Sequence, residues 1–295
     1  MIRFVDEQRA AFGVEPICRV LGIAPSTYYA AGRRAPSARA VRDAELAREV
    51  RRVHATNYGV YGVRKLWAAL GREGIEVGRD RVARLMRSLG LRGIRRERRT
   101  ITTLAPLVAA RPGDLVGRAF GASGPNRLWL ADITYVPLVA GGFCYTAFIT
   151  DAFARRIVGW RVAASLHTEL ALDALEMALS TRGARLPDLV HHSDRGSQYV
   201  ALRYTERLSA AGAAASVGSR GDSYDNALAE SVNGLYKAEL IRRQRWRTVA
   251  DVERATGAWV GWWNEDRLHE ACAYTPPAEF EAAYYRSLPA PNEAA

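Results

Sequence analysis

Three acidic residues in this 295-residue chain could carry out chemistry together: Asp132 in WLADITYV, Asp194 in HHSDRGSQY and Glu230 in YDNALAESVNGLYKAEL. The last two are separated by 35 residues. Three converging carboxylates are what a divalent metal site for phosphodiester chemistry requires. Hard anionic oxygens suit Mg²⁺ (or Mn²⁺), which keeps its waters and is completed by phosphate oxygens. Two such ions, roughly 3.5–4 Å apart, activate a nucleophile and stabilise the leaving oxygen of an in-line displacement. His191 and His192 precede the second acid, but zinc would need more ligands at regular spacing. Strand alternation should send one ring inward and the other outward, with His192 the candidate for a supporting contact to the site.

Asp132 falls mid-strand among Trp129, Leu130 and Ile133, where a carboxylate is costly without a metal or a hydrogen-bond partner. Asp194 follows a short strand, at the carboxyl end where open α/β sheets hold their sites. Asn226, Glu230, Asn233 and Lys237 are spaced by 4, 3 and 4, a single polar stripe on a helix whose Leu228, Val232 and Leu235 face elsewhere.

The elements that must position these residues are legible in the hydrophobic pattern. Leu128–Leu138, Phe143–Thr150 and Ile157–Ala163 read as strands, the first two joined through Ala140-Gly141-Gly142, a hairpin signal. A helix over Thr168–Arg182, a strand over Leu189–His192, a helix over Tyr199–Ala211 and a small strand over Ala213–Val217 follow. Helices are expected over Asp225–Ile241, Val249–Asn264 and from about Pro277 to Tyr285. Upstream, residues 14–32 read as a short helix, a Gly-containing turn and a second helix capped at Pro25-Ser26-Thr27. In 59–93, Val63, Leu66, Trp67 and Leu70, then Val82, Leu85, Met86 and Leu89, recur at helical spacing, with Gly71 and Gly90 at the helix ends. Arg64, Lys65, Arg79, Arg81, Arg84 and Arg87 occupy the outer faces.

Charge divides the chain. Residues 1–112 hold 23 Lys and Arg against 10 Asp and Glu, and the remainder 19 against 21, so the net +11 arises entirely from the first third. Such asymmetry points to a nucleic-acid-binding region attached to a domain with another task. The run 92–103, with Arg95, Arg96, Arg98 and Arg99, reads as a basic linker. Expected divisions are 1–58, a helical region with a possible helix-turn-helix; 59–103, a basic helix-turn-helix-like DNA-binding domain and linker; 104–126, a linker; 127–245, the catalytic core; and 246–295, its helical extension. Cys18, Cys144 and Cys272 are too dispersed for a metal knuckle or a disulfide framework. No stretch approaches the ~18 apolar residues of a membrane span, and MIRFVDEQRAAFG lacks a signal core. A cytoplasmic protein, nucleoid-associated when bound to DNA, is expected.

WLADITYV, HSDRGSQY and DNALAESVNGLYKAE resemble the catalytic core of bacterial insertion-sequence transposases related to retroviral integrases. More narrowly they are similar to the second-reading-frame (OrfB-type) product of the family that makes its transposase by frameshifting. FGVEPICRVLGIAPSTYY, YGVRKLWAAL with RVARLMRSLGL, and WNEDRLHEACAYTPPAEF extend the resemblance over essentially the whole chain. It implies an α/β ribonuclease-H-like core, three antiparallel strands and then alternating helices and strands, preceded by an all-α, basic helix-turn-helix-type region. It implies that Asp132, Asp194 and Glu230 hold two metal ions for cleavage and strand transfer at element ends. Arg195, Asn226, Lys237, Asn264, Arg267 and His269 become candidates for DNA contact or support of the site. Implied partners are terminal-repeat and target DNA, further copies of the chain on DNA, and the upstream-frame product, as a fusion or in trans. Val232-Asn233 departs from the family's bulky aromatic pair, which could loosen packing behind Glu230, and Cys272-Ala273 replaces its usual Leu-Gly. Other readings are a ribonuclease-H-like nuclease that only hydrolyses and a non-catalytic DNA-binding regulator of element ends.

Overall fold

The computed structural model describes residues 1–95, 116, 121–194, 196–217 and 227–289. They divide into two compact units, Met1–Arg51 and Arg52–Ala295. In the first, α1 (Ile2–Phe12), α2 (Val14–Val20) and α3 (Pro25–Arg33) bury Val5, Ile17, Cys18 and Tyr28 together. The Ser/Thr cap expected for α3 does not form. Ala24 is its N-cap and Pro25 its first helical residue, where the missing N–H costs nothing. α4 (Ala38–Thr56) runs across the division.

The second unit opens with α5 (Val63–Arg72) and α6 (Arg79–Ser88). Leu66, Leu70, Val82, Leu85 and Met86 are buried, as their periodicity predicts. Trp67 is not: it is 45% exposed, and its Nε1 donates to the Val77 carbonyl at 2.8 Å. One residue beyond Leu66 is a rotation of about 100° around the helix, which takes the ring off the apolar stripe. Gly71 lies inside α5, and Gly74 (φ +75°) makes the reversal instead. The segment between α4 and α5 joins the C-terminal segment: the Leu268 N–H donates to the Tyr61 hydroxyl at 2.8 Å, and Trp262 Nε1 donates to Asn57 Oδ1 at 3.2 Å.

A five-stranded sheet of order β3-β2-β1-β4-β5 forms the centre of the unit. β1 (Leu128–Pro137), β2 (Phe143–Asp151) and β3 (Ile157–Ala163) are antiparallel, while β4 (Val190–Ser193) runs parallel to β1 and β5 (Ala214–Val217) parallel to β4. Gly141 and Gly142 take φ +91° and +77° in the expected hairpin. α7 (Thr168–Arg182) and α8 (Leu202–Ala210) cover one face through Trp129, Ala131, Ile149, Leu175 and Leu208. α7 approaches so closely that a Cβ on Gly159 would stand 2.1 Å from the Ala174 carbonyl oxygen. On the other face, α9 (Ala227–Glu239) and α10 (Val249–Glu265) place Tyr236 and Trp259 around Phe148, ring centroids 5.0 and 6.0 Å away. α11 (Pro277–Ser287) follows.

Because both faces are covered, both histidines of β4 are buried, against the expectation of one ring in and one out. His191 Nε2 is hydrogen-bonded to the Tyr204 hydroxyl and His192 Nδ1 to the Ser216 hydroxyl, each at 2.9 Å. Burial pushes His191 down to about 4, so it is neutral at pH 7. All three cysteines are free and buried. Among the described residues, no helix is long and apolar enough to cross a membrane.

Asn264 ends α10 by imitating a strand. Its Oδ1 accepts from the Ile157 N–H and its Nδ2 donates to the Ile157 carbonyl, both at 2.9 Å and both buried. Asn264→Ala strands a donor and an acceptor at the start of β3. At about 1–3 kcal/mol for each orphaned group, it is expected to lower the thermal midpoint by on the order of 5–10 °C. A melt followed by circular dichroism checks this, and an unchanged midpoint would refute the bracing role.

Candidate active site

β4 is short, and its end builds the site. Ala131 pairs with Ser193 in the parallel β1–β4 register. Asp132 and Asp194 are therefore each the next residue along, on neighbouring strands whose axes lie about 4.8 Å apart. β1 continues past this point, paired only with β2, which leaves a crevice beyond the carboxyl end of β4. Asp132 is half-buried there, and Asp194, exposed as a whole residue, turns its carboxyl into the cleft. Glu230, half-buried on the first turn of α9, completes the group.

Electrostatics records their proximity. The Asp132 carboxyl is pushed up to about 7, first by burial, then by the charge of Asp194, with Glu230 adding to it. Two hydrogen bonds oppose that shift: the Ile133 N–H donates to Oδ1 and Asn233 Nδ2 donates to Oδ2, both at 2.9 Å. Asp194 is also raised, by burial of its carboxyl in the crevice, while the Gly196 N–H donates to its Oδ1 at 2.9 Å and opposes the shift. A Cβ on Gly196 would stand 2.9 Å from that same oxygen, so glycine permits the turn.

The polar stripe of α9 faces this crevice rather than bulk water. Asn233, which sequence reasoning placed on the stripe but not in the site, is buried and ties α9 to the Asp132 carboxylate. The feared looseness behind Glu230 is not seen at Val232, which is buried. The spacing of Asn233 three residues after Glu230 was the signal that could have found it. Lys237, a turn further on, lies with Nζ 4.2 Å from the centroid of the Tyr135 ring. Burial lowers its pKa and Arg242 adds to that, while Tyr135 and Asp132 act in the opposite sense. Tyr199 is buried beneath the acids, its hydroxyl without a hydrogen-bond partner among the described residues and its pKa raised by burial and by the charges of Asp194 and Asp132. A cleft of about 220 Å³, lined by Ile133, Tyr135, Tyr145, Leu166 and Gln198, opens beside Asp194.

The remaining candidates fall in different places. Arg64 and Arg95 are exposed, while Arg81 and Arg84 are half-buried on α6. Lys65 lies over the Tyr61 ring, and burial together with the Arg267 charge brings it down to about 7. Arg267 is buried: it grips Glu239, the last residue of α9, through Nη2–Oε1 at 2.6 Å and Nε–Oε2 at 3.1 Å, and lies over the Trp263 ring at 4.4 Å. His269 is packed against Trp263 and kept neutral by burial and by Arg267. Asn264, Arg267, His269 and His192 are all buried, which removes them from direct contact with DNA in this structure. Arg96, Arg98, Arg99, Arg195 and Asn226 lie outside the described residues.

The integrase core domain family matches residues 122–223, a second integrase core family matches 211–277, and an HTH-like domain family matches 41–99. A Shigella sonnei protein, the transposase for insertion sequence element IS629, is 53% identical over 98% of this chain and 98% of its own length. A Mycobacterium tuberculosis protein bearing the name of a transposase for IS986/IS6110 is 56% identical over 89% of this chain and 96% of its own. Among solved structures, a chain of the simian T-cell lymphotropic virus intasome aligns over 82% of this chain and 77% of its own, at 15% identity and a TM-score of 0.46. The carboxylate crevice thus sits in a chain that belongs to the insertion-sequence transposases with an integrase core of ribonuclease-H-like fold and an HTH-like domain.

Proposed function

We propose that this transposase cuts DNA at the ends of an insertion sequence and joins them to a target, with Asp132, Asp194 and Glu230 as the carboxylates that hold its divalent ions. The observation that carries this is the β1–β4 register, which puts two aspartates side by side in a crevice where the charge of Asp194 penalises that of Asp132. A cation is what relieves such repulsion. Among the described residues no three acidic, His or Cys side chains form a ready-made metal cage. The donor set nevertheless fits Mg²⁺ or Mn²⁺, since such ions take one or two carboxylates and keep water and phosphate oxygens for the rest. When bound, two ions would supply an activated water or 3′-hydroxyl and stabilise the departing oxygen.

The chain's own residues do the rest. Asn233 fixes the orientation of Asp132 through Oδ2, leaving Oδ1 with one backbone partner and room to bind. Lys237, held by a ring face rather than by an acid, is placed to take a phosphate oxygen next to Asp132. The exposed cations of α5 and α6 supply affinity for the DNA backbone. The intasome and the dimeric and trimeric integrase cores among the solved structures are assemblies of those proteins. For this chain we infer work as an oligomer on DNA, with the upstream-frame product joining it as a fusion or in trans.

A labelled duplex carrying the terminal repeat, incubated with Mg²⁺ or Mn²⁺, should yield both cleaved and joined strands, and EDTA should abolish both. Asp132→Asn should remove at least about 10²-fold of either activity, and Asn233→Ala about 10–100-fold. Cleavage without joining would favour a nuclease, and full activity in Asp132→Asn would overturn the site.

The raised Asp132 carboxyl also sets a pH dependence. Its pKa is about 7 in the folded protein and about 3.9 in the unfolded chain. Between those values the fold binds the extra proton, so without metal this group withdraws stability as pH climbs from about 4 to 7 and leaves it withdrawn above. In EDTA at pH 8, Asp132→Asn should therefore melt a few degrees above the wild type, with the gap closing toward pH 4. Mg²⁺ should raise the wild-type midpoint and not the variant's. A variant less stable than wild type at pH 8 would contradict the charge repulsion.

A further inference from the structure

The cleft that opens beside Asp194 has a chemistry unlike that of the carboxylates. Strand pairing sets its aromatic surface. Tyr135 and Tyr145 stand directly opposite each other in the β1–β2 register, so both rings project from one face of the sheet. Ile133, two residues before Tyr135, lies on that face as well. The pairing of β4 with β1 stops at Ala131, so no neighbouring strand flanks the rings on that side. Tyr135 keeps 46% of its surface exposed, and Leu166, just before α7, keeps 42%.

The rest of the lining is polar without being basic. Among the described residues that line the cleft there is no lysine or arginine, and Asp194 is the one charged group. A phosphate would find no cation there. Gln198 donates from Nε2 to the Leu166 carbonyl at 3.2 Å, which anchors its amide with one N–H and leaves the remaining capacity for a ligand. Tyr199 also lines the cleft, and its buried hydroxyl has no hydrogen-bond partner among the described residues. A buried hydroxyl left unpaired costs about 1–3 kcal/mol, a cost that a ligand's hydrogen bond removes.

Two aromatic rings, an anchored amide, an unpaired hydroxyl and no cation suit an uncharged, planar ligand with hydrogen-bonding edges. In DNA that group is the nucleobase. Inside a duplex a base is stacked on both faces and paired along its edge, so it enters a cleft only by leaving the stack. Asp194 belongs to both places, since it lines the cleft and acts on the Asp132 charge. A phosphate at the carboxylates and a base in the cleft therefore belong to the same nucleotide or to adjoining ones.

The geometry points to this cleft as the seat of one everted base at the junction of the terminal repeat and its flanking DNA. The base stacks on Tyr145 and Tyr135, and Gln198 and Tyr199 hydrogen-bond its edge. Eversion there opens the helix beside the bond to be cut. The position at the junction rests on the proposed function, whereas the base site itself does not.

The test uses the full chain in EDTA, which prevents cutting, at saturating concentration on duplexes that span the junction. A thymine is placed in turn opposite each junction base. When a base leaves the helix, the thymine facing it is unpaired and reacts with permanganate. The wild type should expose one such thymine. Tyr145→Ala should lower its reactivity roughly 10–100-fold, and Tyr145→Phe, which keeps the ring, should preserve it. Tyr199→Phe should lower it about 3–10-fold, yet leave the free protein at least as stable as the wild type, because it removes an unpaired hydroxyl. Melting curves and gel shifts confirm folding and binding, and if Tyr145→Ala does not fold, Tyr199→Phe carries the test. The inference is overturned if every junction pair stays closed in the wild type, or if either variant, folded and bound, keeps the wild-type reactivity. Strand cleavage in Mg²⁺, measured separately, keeps the outcomes distinct. A chain that never cuts, yet opens the junction through Tyr145 and Tyr199, overturns the proposed function and leaves the base site standing. One that cuts without opening a pair does the reverse.

Discussion

The parallel pairing of β1 with β4 is the constraint on which the rest of this transposase depends. Four residue pairs, ending at Ala131 and Ser193, decide that two aspartates distant in sequence become neighbours. A slip of one residue would turn Asp132 into the opposite face of the sheet. The register is held by what lies beneath it: Trp129 and Ala131 are wholly buried against α7 and α8, and Leu128 and Leu130 belong to the apolar cluster that includes Ala229 of α9. Apolar packing on both faces thus fixes a polar event at the strand's end. The repulsion there is a local loss of stability that the surrounding core offsets, as is usual where function requires like charges together.

The glutamate reaches the crevice by a different route, since it comes from a helix rather than the sheet. α9 is tied down at two levels. Midway, Asn233 holds Asp132 and Tyr236 is packed against Phe148 and hydrogen-bonded to Thr146 and Thr256. At its end, Glu239 is locked by Arg267, both side chains 4% exposed. Removing one partner of such a buried pair leaves an uncompensated charge, whereas the intact pair contributes little net stability, so its value here is geometric. The resemblance offered Asn264, Arg267 and His269 of the motif WNEDRLH as candidates for DNA contact or support of the site. In the fold that motif is the clamp behind the helix: Asn264 braces β3, Arg267 closes α9, and His269 fills the space against Trp263.

How far the sequence could be read follows from which forces write themselves locally. Strands, helices and the hairpin at Gly141-Gly142 are set by periodicity and turn chemistry, and their bounds agree with expectation to within a few residues. The ribonuclease-H-like order of elements followed from them. What local pattern does not encode is the destination of a polar side chain. His191 and His192 differ in facing but not in burial, because helices on both faces of a sheet are a tertiary fact. The buried set of Asp151, Arg182 and Glu281, in which Glu281 of α11 binds Arg182 at the end of α7, went unread because its members are far apart and individually ordinary. Ala273 shows the converse. It adopts φ +52°, the left-handed conformation that explains the glycine usual there, and the chain accepts it in a position where the Cys272 thiol donates to the Ala154 carbonyl.

The charge count needs the same correction. Arginine was the strongest compositional pointer to DNA, yet an arginine is available to phosphate only if the fold has not already used it. In the unit that holds the carboxylates, Arg182, Arg207 and Arg267 are each paired with a carboxylate of the same chain. Lys237 is treated differently. It rests on an aromatic face that attracts a cation without neutralising it, close enough to Asp132 to feel its charge. A cation held by a ring keeps all its hydrogen-bond donors for an incoming anion, whereas one held by a carboxylate must first be released. The distinction between the two kinds of partner, rather than the number of basic residues, separates cations that build the fold from those that can meet a phosphate beside the carboxylates.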